Sequence, residues 1–345
     1  MIMKKVLALV LTLTVTLLLF AGCGGTAPPP APAPGAPADF SNRTIVFADA
    51  QWDSIQLHNA IAGFIAVEAF GYGGWTELTG STPVTHEGVV RGEIEVHMEN
   101  WVENMDFYLP DVAAGRLHEV GLNFNDNAQG LYVPRFVIEG DPGRGIEPSA
   151  PTLRTVQDLA RYAHVFPDAE NPGRGRIYGA IPGWAADQIV TATFYYNELG
   201  NYFNLFRPGS DLALSAAFAN AFERGVPIVG YYWEPTWLMG MYDFVLLENA
   251  PFTNEEDLHA GRVAFPSATV MITTSNQFAQ DNPEFLEFLS RYRTNSAMIS
   301  DALAHIQDTG ANRNEAAKWL LINNPRLLDE WLDPDRAQAV RNALE

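Results

Sequence analysis

The chain reads as an α/β protein of two lobes joined by two crossings of the backbone, followed by a helical C-terminal tail. Three observations predict this. A strand–helix–strand rhythm runs from Thr44 to Trp101. One strand pattern, Ala128 to Val137, leads away from that first unit, and another, Val263 to Thr274, returns to it. From Pro283 to Glu345 the apolar residues recur almost entirely at helical spacing.

The N-terminus precedes the fold. Lys4 and Lys5 stand before an apolar run, Val6 to Phe20, that is too short for an ordinary membrane-spanning helix. The run ends in Leu19-Phe20-Ala21-Gly22-Cys23, which resembles a bacterial lipobox with Phe20 where leucine is usual. Residues 1–22 are therefore expected to be a lipoprotein signal peptide, and Cys23 the lipidated N-terminus of an exported chain held at the outer face of the cytoplasmic membrane. Cys23 is the only cysteine. Once it is lipidated, no disulfide, thiolate nucleophile or cysteine-ligated metal remains. Residues 23–41, rich in Pro and Ala, suit an extended tether between lipid and folded domain.

Folded sequence begins near Asn42. Thr44 to Asp49 reads as a buried strand, and Gln51 onward as a helix with apolar positions at Ile55, Ile61, Ile65 and Phe70, stopped by Gly71-Tyr72-Gly73. Glu93 to Met98 reads as the next strand, in a parallel sheet covered by helices. Gly140 to Ala150 looks like a connection, Thr155 to Tyr162 a short helix, Ala185 to Leu199 and Ser210 to Arg224 helices, and Pro227 to Trp233 a strand. The expected lobes are residues 42–136 with 262–345, and 137–261. A cleft between them is the default binding site.

Composition narrows the function. The formal charge is −20 and basic clusters are absent, so nucleic acid is not an expected partner. No G-x-S-x-G elbow, H-E-x-x-H helix or P-loop is present. Gly173 to Gly179 has the wrong spacing for a phosphate loop and reads as a turn, and Glu255-Glu256 as a solvated loop. The histidines at 58, 86, 97, 118, 164, 259 and 305 show no metal-ligand pairing. Neither catalytic residues, nor a metal, nor a cofactor is expected.

Aromatic residues point elsewhere. Of eight tryptophans, four stand where a strand ends or a helix begins: Trp52, Trp101, Trp184 and Trp233. In open α/β sheets, ligands bind beyond the carboxyl ends of strands, so these rings are expected to face the cleft, whereas Trp75, Trp237, Trp319 and Trp331 are expected to pack. Ring faces suit a trimethylammonium group, whose diffuse charge has no N–H to donate. Each face contributes on the order of 0.5–1 kcal/mol when exposed and about 2 when desolvated.

On three segments, Val96 to Trp101, Pro182-Gly183-Trp184 and Tyr231 to Trp237, the chain resembles the glycine betaine/choline-type substrate-binding proteins of ABC importers, from about Asn42 to its C-terminus. The resemblance implies a type II periplasmic-binding-protein-like fold without enzymatic activity, ABC permease subunits as partners, and an aromatic cage of Trp101, Trp184 and Trp233. Choline-binding relatives add a tryptophan at the position of Trp52. The family's glycine betaine binders often carry a carboxylate-holding histidine where this chain has Met105, so the backbone N–H groups of Ala185 and Ala186 are expected to hold a ligand carboxylate. Asp53 would instead suit a hydroxyl-bearing cation such as choline. Glycine betaine or proline betaine is the expected ligand, with choline or carnitine as the alternative. A lipid-anchored sensor and an exported carbohydrate-active hydrolase are competing readings.

Overall fold

The computed structural model describes residues 40–345. The signal-like run, Cys23 and all but the end of the tether lie outside them. The first unit runs β1 (Thr44–Asp49), α1 (Asp53–Phe70), β2 (Gly74–Thr79), α2 (Thr82–Arg91), β3 (Val96–Trp101), α3 (Tyr108–Ala113) and β4 (His118–Phe124). Then come β5 (Gln129–Pro134), α4 (Arg135–Glu139), β6 (Gly175–Tyr178), α5 (Ala185–Tyr196), β7 (Phe203–Phe206), α6 (Asp211–Glu223), β8 (Gly230–Trp233), α7 (Trp237–Met241), β9 (Phe244–Leu246) and α8 (Glu255–His259). The chain returns through β10 (Val270–Thr274) and ends in α9 (Asn276–Asp281), α10 (Pro283–Arg291), α11 (Ser296–Thr309), α12 (Arg313–Asn323), α13 (Arg326–Trp331) and α14 (Pro334–Leu344).

These strands make two five-stranded sheets, ordered β2-β1-β3-β10-β4 and β7-β6-β8-β5-β9. The two orders are the same pattern. In each sheet a parallel β-α-β-α-β unit lies at one side, and the strand that arrives through a crossing inserts antiparallel beside the third strand. The sheets are therefore mixed, not wholly parallel as the strand–helix rhythm suggested, because a strand that closes a crossing enters from the opposite end.

Several boundaries differ from the sequence reading. Gln129–Pro134, expected in the first lobe, pairs with β8 and β9 in the second sheet, so the first crossing falls at residues 125–128. The third strand sits three residues later than expected and includes Trp101. Gly175–Tyr178 is a strand between β7 and β8, not part of a turn, and Glu255–His259 is a short helix capped by the Asn254 side chain, not a loop. Polar β6 and short α8 carry too little apolar periodicity to announce themselves.

Local chemistry explains the elements that matter for the site. Helix α1 buries Ile55, Ile61 and Ile65 completely, and Gly71 closes it with a left-handed φ of 72° that a side chain would strain. Gln51, at φ 76°, turns the chain between β1 and α1, held by the Asp49 carboxylate and the Gly80 carbonyl. The tail lies against the first sheet's helices: Phe285, Phe288, Leu289 and Tyr292 join Ile45, Phe47 and Trp331 in one core, with the Tyr292 and Trp331 rings stacked at 4.4 Å.

Two side chains, Asn127 and Ser267, tie the two crossings together. Asn127 donates from Nδ2 to the Ala268 carbonyl at 2.7 Å and accepts from the Ala268 N–H at 2.8 Å. The Ser267 hydroxyl reaches the carbonyls of Asn125 and Asn127. Because Asn127 and Ala268 are buried, Asn127→Ala strands a backbone donor and acceptor, and a loss of roughly 1–3 kcal/mol is expected. Urea unfolding measures it; a change under about 0.5 kcal/mol, the range of ordinary surface substitutions, would show that the crossings do not need this tie.

Candidate functional site

The matching sheet orders place four tryptophans at two matching points. Trp52 and Trp184 are the N-cap residues of α1 and α5, each the helix that follows its sheet's first strand. Trp101 and Trp233 are the last residues of β3 and β8, the third strand of each sheet. Both lobes thus aim the carboxyl ends of equivalent strands at one another, where a ligand belongs in such sheets.

There the structure brings the rings together. A narrow cavity is walled by Trp52, Trp101, Trp184, Trp233 and Tyr231, with Thr82, His97, Glu99, Asn104, Met105, Ala185 and Ala186 completing the lining. All four tryptophans are buried. Trp52 meets Trp184 edge to face at 5.5 Å and 85°, and Trp184 meets Trp233 at 5.0 Å and 88°. Successive walls are therefore perpendicular, so a group inside faces more than one ring. Tyr231 lies nearly parallel to Trp233 at 5.9 Å and 19°. Trp101 packs edge to face on Phe124 at 5.9 Å and contributes the remaining wall from the first lobe.

Backbone contacts lock the same place. The Thr82 N–H, at the start of α2, donates to the Gly183 carbonyl at 3.1 Å, and the Ala185 N–H donates to Thr82 Oγ1 at 3.3 Å. Gly183 has φ 95°, and a Cβ there would meet Ser81 at 3.0 Å; glycine lets the loop before Trp184 dock on the first lobe.

Of the residues expected from sequence, Trp52, Trp101, Trp184, Trp233, Ala185 and Ala186 line this cavity, and Met105 joins them. Asp53 does not. It faces a neighbouring cleft lined by Ser54, Asp211, Tyr232, Trp233, Pro235, Thr236 and Trp237. As the first residue of α1 it points away from the ring at 52. The Ala185 N–H is engaged by Thr82, which leaves it less free for a ligand carboxylate than the sequence suggested.

Glu99 is the residue that sequence reasoning missed. It is wholly buried, and its Oε1 accepts from the Ser54 hydroxyl at 2.9 Å and from the Trp101 indole N–H at 3.1 Å. Its Oε2 has no hydrogen-bond partner, nor have the indole nitrogens of Trp52 and Trp184. Burial pushes the Glu99 carboxyl up to about 8, against the opposing pull of Ser54 and of the Trp52 and Trp101 N–H dipoles. A signal was available: His97, Glu99 and Trp101 alternate along one strand and so share its face, as Tyr231 and Trp233 do. His97 is also buried, which pushes its imidazole down to about 3 and keeps it neutral. Beside the first crossing, the buried amides of Asn104 and Gln129 each donate to the other, and the Tyr231 hydroxyl also donates to Gln129 Oε1.

Comparison with known proteins agrees with this geometry. Residues 43–323 match the family described as the substrate binding domain of ABC-type glycine betaine transport systems. A glycine betaine/proline betaine-binding periplasmic protein of Salmonella typhimurium is 20% identical over 219 residues, 58% of this chain and 61% of its own, so the chain spans less than two thirds of that relative. Among solved structures, an ABC-transporter choline binding protein in complex with choline superposes with a TM-score of 0.68 at 21% identity, over 88% of this chain and 98% of that one. A glycine betaine, L-proline transporter binding protein from Borrelia burgdorferi gives 0.66 at 16% identity, over 86% and 100%. At those identities the likeness is one of fold.

The raised carboxyl has a measurable consequence. Between the ordinary value near 4.5 and about 8, the folded protein keeps a proton on Glu99 that the unfolded chain has lost. Its contribution to stability is fully present below pH 4.5 and is lost as pH rises through 8. The expected result is that ligand-free protein weakens from pH 5 to 9 more steeply than Glu99→Gln, by up to about 1.4 kcal/mol per pH unit. Urea titrations across that range decide it, and parallel curves would contradict a buried, protonated Glu99.

Proposed function

Since the chain belongs to the substrate-binding domain family of ABC-type glycine betaine transport systems, we propose that it is an extracytoplasmic receptor that captures a quaternary-ammonium solute between its lobes and presents it to the permease subunits of an importer. The observation that carries this reading is the perpendicular set of buried indoles from both lobes around one cavity. A quaternary ammonium offers an apolar skin and a diffuse charge, and several ring faces satisfy both at once. Ordinary ammonium ions would lose their hydrogen bonds to water on entering, so the same walls select by exclusion.

The family is one of non-catalytic binding proteins. Trp52, Trp101, Trp184 and Trp233 are the cage residues of this proposal, and glycine betaine, proline betaine, choline and carnitine are its candidate solutes. Delivery requires release, so the lobes open about the crossings at residues 125–128 and 247–269, breaking the Trp52–Trp184 and Thr82–Gly183 contacts. Lipid on Cys23 would keep the receptor beside its permease.

Two measurements test the proposal. Titration calorimetry on each Trp→Ala variant should show affinity reduced more than about tenfold, since losing a desolvated ring face removes roughly 1–2 kcal/mol. Trp→Phe should be milder because a weaker face remains. Melting curves on the same variants register the separate loss of stability, about 3–5 kcal/mol for a buried tryptophan. Unchanged affinity in all four alanine variants would leave the cage reading without support. For the anchor, Cys23→Ser is expected to accumulate as unprocessed precursor; normal maturation and membrane retention of that variant would remove the lipid from the proposal.

A further inference from the structure

Glu99 is the only carboxylate on the cavity wall, and among the described residues lining it there is no lysine or arginine. Ser54 on α1 and the Trp101 indole both hold Oε1, whereas Oε2 makes no hydrogen bond, although the Trp52 indole N–H is near enough to draw on the carboxyl. A buried acceptor without a donor is a standing penalty in a folded protein, and one that a ligand donor can relieve. Wild-type ring faces alone do not distinguish one trimethylammonium compound from another, because all present the same head group.

The rest of the lining argues against a ligand carboxylate. Met105 cannot donate a hydrogen bond, His97 is held neutral by burial, and the Ala185 N–H is committed to Thr82. Among the side chains of the lining, the unpartnered donors are the Trp52 and Trp184 indole N–H groups. Two neutral indole N–H groups are a weak match for a carboxylate brought next to an ionised Glu99.

We propose that Glu99 sets ligand choice in this cavity: its free Oε2 supplies the counter-charge and the acceptor for a choline-type cation, a quaternary ammonium with a hydroxyl and no carboxylate, and it disfavours betaine-type zwitterions. This rests on the cage reading above and moves to Glu99 the role that sequence reasoning gave Asp53. Binding of such a cation draws the proton off Glu99, because the bound charge favours the ionised form. Choline affinity therefore rises with pH through the region of about 8 where Glu99 titrates, and glycine betaine affinity does not.

The other charged and titratable groups around Glu99 are few. Burial pushes His97 on β3 and His58 on α1 down to about 3, so both stay neutral. Burial holds the Tyr231 hydroxyl on β8 and the Tyr292 hydroxyl after α10 well above their ordinary values, Tyr292 with a further push from the Glu99 charge. Asp49, at the end of β1, is held by Gln51, Gln56 and Thr79. Desolvation in the cleft they share raises Asp53, and it raises Asp211 on α6, with a push from the Asp53 charge, to about 8. Asp211 is thus the one group able to imitate Glu99, and it lies in the adjoining cleft.

Calorimetry with choline, glycine betaine and tetramethylammonium from pH 6 to 9.5 tests this on the wild-type protein, Glu99→Gln and Asp211→Asn. Glutamine keeps an oxygen for Ser54 and Trp101 and replaces Oε2, with its charge, by an N–H donor. Expected for the wild type is a choline-to-betaine affinity ratio above ten at pH 9 that shrinks toward pH 6. Glu99→Gln should lose more than tenfold in choline affinity, keep or gain betaine affinity, and show no pH slope, while Asp211→Asn keeps the slope. If Glu99→Gln does not fold, the wild-type ratio and its slope decide alone. An unchanged ratio in Glu99→Gln, or a wild-type ratio that favours betaine or ignores pH, overturns the role of Glu99 and leaves the cage intact. Failure of all three compounds to bind the wild type overturns both.

Discussion

The edge-to-face contact of Trp184 with Trp52 on one side and Trp233 on the other is the joint on which the rest of this site depends. Trp52 belongs to the first lobe, and Trp184 and Trp233 to the second, so the Trp52–Trp184 contact exists only when the lobes are together. It sets the walls at right angles and brings Thr82 under the Gly183 carbonyl. Aromatic edges prefer faces because of the ring quadrupole, with about 0.5–1.5 kcal/mol beyond area burial for each pair. That is enough to favour a closed arrangement and too little to prevent opening. A receptor that must both hold and release is served by an interaction of this size.

The two sheets explain why four tryptophans converge at all. Each lobe repeats one strand order, and each supplies one indole after its first strand and one at the end of its third. A residue at either point lies at the carboxyl edge of the sheet, where helix N-termini and strand ends leave a crevice. Facing two such edges encloses a cavity from both sides, with the Asn127–Ala268 tie holding the crossings beneath it. Rings in one sheet only would make an open patch, exposed to water and weaker in cation–π attraction.

Glu99 shows what a binding site asks of a fold. A buried carboxyl whose Oε2 lacks a partner opposes folding as the pH rises, and an apolar residue would be more stable there. Sites tolerate such groups where the ligand satisfies them, and the surrounding core is large enough to carry the penalty. The second sheet has Tyr231 at the place equivalent to Glu99, again two residues before the terminal tryptophan. That hydroxyl is satisfied by Gln129. One lobe thus offers a relaxed aromatic surface and the other a charge.

The sequence by itself determined the α/β alternation, the departure and return of the chain, the helical tail and the four indoles at strand ends and helix starts. These are readable because periodicity and strand termination are local properties. It placed β5 in the wrong sheet, read β6 and α8 as loops and did not name β2, α2, β4, β7 or β9, because pairing partners lie far along the chain and short segments show little periodicity. It also named Asp53 as a site acid and did not consider Glu99. Adjacency to Trp52 in sequence suggested that choice, yet neighbouring residues at a helix start point in different directions, while residues two apart on a strand point the same way. Only the tertiary structure decided which acid shares the cavity, because burial, and with it the rise of the Glu99 carboxyl, arises from walls contributed by both lobes.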